Sequence, residues 1–150
     1  MYVNFLMVFS ILLSFLFSMT TYAQPIKNQI RFLEELITSL KEKQQPLSSE
    51  EQLRVMIFQS VICNLWNVHF LKTGEKPPSN LPAASETKQA GLQMLAKQIE
   101  YMEERMALSV TNMSDYPENS TEYNFYAQST LIQNDIVESL RFLQHSGFYQ

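Results

Sequence analysis

The chain lacks the disulfide framework that stabilises most small secreted animal domains. Cys63 is its only cysteine, so no disulfide can form within the chain. A helical bundle of this size relies on its apolar core instead, as exported bacterial proteins often do. We therefore expect Cys63 to act as a buried small apolar residue. An intermolecular disulfide and a nucleophilic role are the alternatives.

Glycine and net positive charge are also scarce. The chain has three glycines, which argues against a β-sandwich or barrel, because those folds need many turns. Its formal net charge is −4 at pH 7, which argues against a nucleic-acid-binding protein, because such proteins display basic patches. Composition thus favours a mildly acidic, all-α protein.

Charge is absent from residues 1–23, an apolar leader that ends in Tyr22-Ala23-Gln24. A small residue between an apolar core and a polar start is typical of a secretory signal peptide and its cleavage site. The alternative is an uncleaved anchor. The most apolar part, residues 5–19, would reach roughly 22 Å as a helix, less than the ~30 Å hydrocarbon core, although residues 1–22 would suffice. We expect cleavage and a periplasmic or secreted protein, with membrane attachment only if the leader is retained.

Residues 24–150 predict one domain, an antiparallel four-helix bundle. Apolar residues recur at helical spacing over about 25–45, 48–73, 85–110 and 121–146. Ser48 and Glu51 form a capping-box pattern at the start of the second helix, and Gly74 ends it. The stripe of the first helix consists of Ile26, Ile30, Leu33, Ile37 and Leu40.

The second helix carries no charged residue between Val55 and Leu71. Uncharged polar groups can pair across an interface at a lower desolvation cost than ions. We interpret this polar side as a candidate partner-contact face that binds a second protein or another copy of the chain. In the alternative interpretation, it packs against a loop or helix of the same chain. The candidate face consists of Gln59, Ser60, Asn64 and Asn67.

The pattern predicts no catalytic residue, cofactor or metal site. His69 and His145 are the only histidines, and neither follows a glutamate by three residues, which excludes the diiron bundle motif. No Cys-x-x-Cys-His motif for covalent haem occurs. Methionines in the third helix recur at core spacing, which indicates packing. A zinc site shared by the two histidines is a minor alternative, since helices two and four end together in such a bundle.

These features favour an exported, non-catalytic helical interaction module: a subunit, adaptor, chaperone or effector of a bacterial envelope or secretion system. The alternative is a small all-helical periplasmic enzyme or small-molecule binder with a pocket between the helices. Cations that converge on a cavity would favour the alternative. From the helical pattern, only Arg54 projects towards an apolar arc, whereas Arg31, Arg105 and Arg141 lie at flanks or outside.

Overall fold

The computed structural model describes residues 25–43, 45–81 and 88–150. These residues form four α-helices and no strands, which confirms the predicted all-α helical bundle. None of these helices combines the length and apolar character needed to cross a bilayer. The leader, and with it the predicted signal peptide, lies outside the described residues. The helices are α1 (Ile26–Lys41), α2 (Ser49–Thr73), α3 (Lys88–Met113) and α4 (Thr121–His145).

Local capping groups define where the helices begin and end. The Glu51 amide donates to Ser48 Oγ at 3.2 Å, and the Ser48 amide donates to Glu51 Oε2 at 2.9 Å, so the predicted capping box is present. Gly74 ends α2 with a φ of 76°, a left-handed conformation that glycine adopts without strain. Ser120 caps α4 by accepting a hydrogen bond from the Tyr123 amide at 3.1 Å.

Two helix ends differ from the prediction. α1 ends at Lys41 rather than near Gln45, because the ring of Pro46 is incompatible with a helical carbonyl four residues earlier, at Glu42. α3 continues to Met113 rather than ending at Val110. The Met113 side chain is buried, so packing extends the helix beyond the predicted stop.

Contacts near the helix termini establish the relative directions of the four helices. At the start of α1, Lys27 Nζ lies 2.9 Å from Glu75 Oε1, just after the end of α2. Lys72 lies over the Phe142 ring at 4.9 Å, so α2 and α4 end together. Lys88, which begins α3, contacts the main chain of the final residue. We call this end, where residues 146–150 lie, the tail end, and the opposite end the cleft end.

The core lies along the bundle axis and receives apolar side chains from every helix. All five stripe residues predicted for α1 are buried. Within this core, Ser139 Oγ donates to Gln29 Oε1 at 2.9 Å and connects α4 to α1. The fully buried apolar side chains include Leu33, Val61, Leu65, Val68, Leu95, Met102, Ile136, Leu140 and Leu143.

Candidate functional site

Among the helix pairs that pack against each other in the described residues, α2 and α3 have the fewest close backbone approaches. α2 packs closely against α1 and α4, whereas its backbone approaches the α3 backbone at few positions. Side chains must therefore fill the space between α2 and α3, and they do so differently in the middle and at the two ends.

A polar network fills the middle of the interface. Asn64 Nδ2 donates to Gln98 Oε1 at 2.7 Å, and Gln98 Nε2 donates to Ser60 Oγ at 2.6 Å. Ser60 Oγ in turn donates to Met94 Sδ at 3.2 Å. Asn64 and Gln98 are 4% and 3% exposed, and buried amides of this kind require partners. The uncharged polar side of α2 thus pairs here with polar side chains of α3.

Tyr149 fills the tail end of the interface. Its hydroxyl donates to Asn64 Oδ1 at 2.7 Å, and its ring packs on Gly91 of α3. A Cβ atom at Gly91 would lie 2.5 Å from Tyr149 Cε1, so only glycine leaves room for the ring. Burial raises the pKa of the Tyr149 phenol, which keeps it a hydrogen-bond donor. The Phe148 ring packs edge-on against the Tyr149 ring. The C-terminal residues therefore close this end.

The cleft end of the interface remains open. There, the first turns of α2 and the last turns of α3 enclose a cavity of about 240 Å³. We call it the α2–α3 cleft. It is lined by Glu50, Leu53, Arg54, Tyr101, Glu104, Arg105 and Leu108.

Two guanidinium groups line this cleft. Arg54 Nη2 lies 2.9 Å from Glu50 Oε1, and the two side chains are 24% and 80% exposed. The Nε atoms of Arg54 and Arg105 are both shielded from solvent and lack a hydrogen-bond partner. The Arg105 side chain makes no hydrogen bond or ion pair with the part of the chain that the structure describes. The arginine pair thus offers unused donors for a carboxylate or phosphate.

Arg105 lies at a flank of the main α3 stripe, within the predicted choice of flank or outside, but the sequence did not predict that it lines a cleft. It is half-buried and lines the cleft beside Tyr101 and Leu108. These residues lie four before and three after Arg105, so they share its side of α3. The helical spacing of Tyr101, Arg105 and Leu108 could have indicated the cleft, but these residues lie beside the main apolar stripe of α3.

Large apolar side chains surround the cleft and continue along the interface. Leu53 and Leu108 line it and are 56% and 43% exposed, while Met56 and Met94 are 65% and 46% exposed. Met56 lies three residues after Leu53 and therefore on the same side of α2. Met94 contacts Ser60, one turn beyond Met56. We call Leu53, Met56, Met94 and Leu108 the exposed apolar strip.

The candidate partner-contact face divides between the inside and the outside of the bundle. Asn64 is buried against α3, so for this residue the alternative of packing against a helix of the same chain applies. Ser60 is half-buried beside it. Asn67 is half-buried, and its Nδ2 donates to Asn64 Oδ1 at 3.4 Å. Gln59 is exposed, and its side chain has no partner within residues 25–43, 45–81 and 88–150. Contact of this face with a second protein stays a prediction.

The histidines and the cysteine have separate local environments. His69 Nε2 lies 2.8 Å from Glu75 Oε2, whereas His145 Nδ1 lies 2.7 Å from the Arg141 carbonyl oxygen. The described residues contain no group of three or more His, Cys, Asp or Glu side chains that could hold a metal ion. Cys63 is half-buried, and burial raises the pKa of its thiol, which disfavours the nucleophilic thiolate.

Comparison of the chain with protein-family models, with curated proteins and with solved structures gave no match. The α2–α3 cleft and the exposed apolar strip are therefore the surfaces on which the functional proposal rests. The guanidinium groups can bind an anionic group, and the aromatic ring and flexible apolar side chains can pack against apolar groups of a ligand.

Proposed function

We propose that this protein is an exported, non-catalytic interaction module of a bacterial envelope or secretion system, acting as a subunit, adaptor, chaperone or effector. It binds another polypeptide through the α2–α3 cleft and the exposed apolar strip. The apolar leader supports export to the periplasm or the exterior. The observation that carries the binding proposal is the strip, where four large apolar side chains lie exposed along one interface.

The exposed apolar side chains of the strip favour a polypeptide partner. Scattered exposed apolar residues are normal in a monomer, but a contiguous group marks an interaction surface. Removing apolar area from water is the dominant favourable contribution to most protein–protein association. Two of the four strip residues are methionines, whose flexible side chains adapt to a partner's shape.

The size of the cleft supports the same partner class. Its volume of about 240 Å³ is below the range of roughly 300–1,000 Å³ that is usual for small-molecule sites. A cavity of this size accommodates one or two side chains of a partner, and the strip then covers the remainder of the contact.

A small all-helical periplasmic enzyme or small-molecule binder is the second candidate. The specific observation in its favour is that Arg54 and Arg105 both line the cleft, as expected for a protein that binds a small anion. The exposure of Leu53 and Leu108 disfavours it, because a small-molecule pocket encloses most of its ligand's surface.

Co-purification from the native host tests the proposal. A tagged wild-type chain is compared with the double variant Leu53→Lys/Leu108→Lys and with the control Phe70→Lys/Leu71→Lys, which adds two charges at exposed apolar positions near the tail end. We expect the wild type and the control to retain a stoichiometric partner, or a second copy of the chain, that the first variant loses. Circular dichroism establishes that every variant is folded.

The proposal is wrong if the folded Leu53→Lys/Leu108→Lys variant retains its partner in full. It is also wrong if the wild type shows neither a stoichiometric partner nor self-association by sedimentation. A thermal shift produced by a small carboxylate or phosphate, lost in Arg105→Met, would favour the small-molecule alternative.

A further inference from the structure

The arginines of the described residues differ in one respect. Arg31, Arg54 and Arg141 each lie within 4.0 Å of a carboxylate oxygen, whereas Arg105 has no such partner. Its Nε is nevertheless shielded from solvent, and a shielded donor without a partner destabilises a protein. The group that a guanidinium binds best is a carboxylate, through two parallel hydrogen bonds.

The nearby glutamates do not supply this carboxylate. Glu50 already contacts Arg54 and is largely exposed. Glu104 precedes Arg105 directly, and adjacent residues on a helix do not face each other. Glu104 is exposed and makes no ion pair with Arg105. No carboxylate of the described residues therefore pairs with Arg105, and a ligand that passes the two leucines of the cleft can supply one.

The dimensions of the exposed apolar strip suit one kind of ligand. Met94 and Leu108 are separated by about 21 Å along α3, at 1.5 Å per residue, which is the length of a helix of about 14 residues. Amphipathic helices bind such surfaces with apolar residues at i, i+3, i+4 and i+7. A helix along the strip can place one acidic side chain in the cleft.

We propose that the partner segment is an acidic amphipathic helix, whose carboxylate binds Arg105 while its apolar side covers the exposed apolar strip. This inference rests on the proposed function and specifies the chemistry of the partner. A single guanidinium without a partner matches one carboxylate. An anionic membrane surface is disfavoured because such surfaces bind clusters of Lys and Arg side chains, whereas Arg54 and Arg105 are the cations that line the cleft.

The negative net charge of the chain separates a specific contact at Arg105 from general electrostatic attraction. General electrostatic attraction to an acidic protein selects basic peptides, whereas Arg105 selects an acidic residue at a fixed position. The probe is a displayed library of 14-residue amphipathic helices with an apolar side and randomised polar positions. It is selected against the protein recovered from its native host.

We expect the enriched peptides to share an acidic residue at one position. Replacing that residue by its amide, or Arg105 by Met in the protein, should each weaken binding by about tenfold, as for a hydrogen bond to a charged group. Because both changes remove the same contact, the combined loss should be no larger than either alone. The control Arg31→Met, at an exposed arginine of α1, should leave the affinity unchanged.

The remaining outcomes separate failure of this inference from failure of the proposed function. Basic or neutral peptides that lose binding in Leu53→Lys but not in Arg105→Met overturn the carboxylate contact and leave the surface in place. Peptides whose binding is unaffected by Leu53→Lys overturn both, whereas an absence of enriched peptides overturns the helical partner segment and leaves the proposed function to the co-purification test.

Discussion

Space is left between α2 and α3 at both ends of their interface, but the described chain fills it only at the tail end. Where α2 and α3 stand apart at the tail end, the chain fills the space itself, because Tyr149 packs on Gly91 and donates to Asn64. At the cleft end, nothing in the described chain fills the space, Leu53 stays exposed, and Arg105 lacks a partner. Polar groups have partners at the tail end, whereas at the cleft end a guanidinium lacks a partner and large apolar side chains stay exposed.

The largest expected effect concerns the filled part of the interface. Asn64→Lys should destabilise the fold by more than about 3 kcal/mol, because it buries a charge without a partner. Gln59→Lys, the same charge at an exposed position of α2, should change the free energy of unfolding by less than about 0.5 kcal/mol. Urea denaturation of both variants measures the difference. Equal stabilities would show that Asn64 is not buried against α3.

Removing the tail ring should have the next largest effect. Tyr149→Ala should lower the free energy of unfolding by about 3 kcal/mol, through lost burial and the cavity it leaves. Tyr149→Phe removes only the hydroxyl, and the loss of its hydrogen bond to Asn64 should cost about 1 kcal/mol. Chemical denaturation again serves as the measurement. A Tyr149→Ala variant as stable as the wild type would mean that the tail does not close the interface.

The effect of Gly91→Ala on the free energy of unfolding should change sign when the Tyr149 ring is removed. In the wild type, the added methyl group meets the Tyr149 ring, and the overpacking should destabilise the protein by about 1 kcal/mol net. In the Tyr149→Ala background, the ring is gone, so the higher helix propensity of alanine should stabilise it by up to about 1 kcal/mol. A double-mutant cycle measures this coupling. The same sign in both backgrounds would contradict the packing of Tyr149 on Gly91.

The smallest expected effect is at the cleft end. Arg105→Met should leave the free energy of unfolding unchanged or raise it by up to about 1 kcal/mol, because it removes a shielded donor without a partner. The matched variant Arg141→Met removes contacts with Glu103 and Glu138, and these exposed ion pairs should contribute about 0.5 kcal/mol. Thermal and urea denaturation compare the two. A clear loss of stability in Arg105→Met would give this residue a structural role.

Local features of the fold were predictable from the sequence, because local chemistry determines them. The capping box at Ser48 and Glu51, the stop at Gly74 and the stripe of α1 each depend on residues close together in the chain. The exception near Pro46 is also local, because the proline acts on the preceding turn of α1.

The candidate site was less predictable, because it depends on distant segments. Nothing near Gly91 in the sequence indicates that Tyr149 packs on it, since this contact joins the start of α3 to the residues after α4. The polar side of α2 was recognisable, but its division between buried Asn64 and exposed Gln59 depends on where α3 lies. Arg105 was missed because helical periodicity describes the main stripe, whereas the cleft forms where two helices separate.

Photo-crosslinking in the native host tests the central claim, that the cleft end binds a partner polypeptide, most directly. A photoreactive residue replaces Leu53 in one variant and Leu71, an exposed leucine towards the tail end of α2, in the other. The account predicts a crosslinked product of one discrete mass from position 53 and none from position 71. No product from position 53, or the same products from both positions, would contradict it.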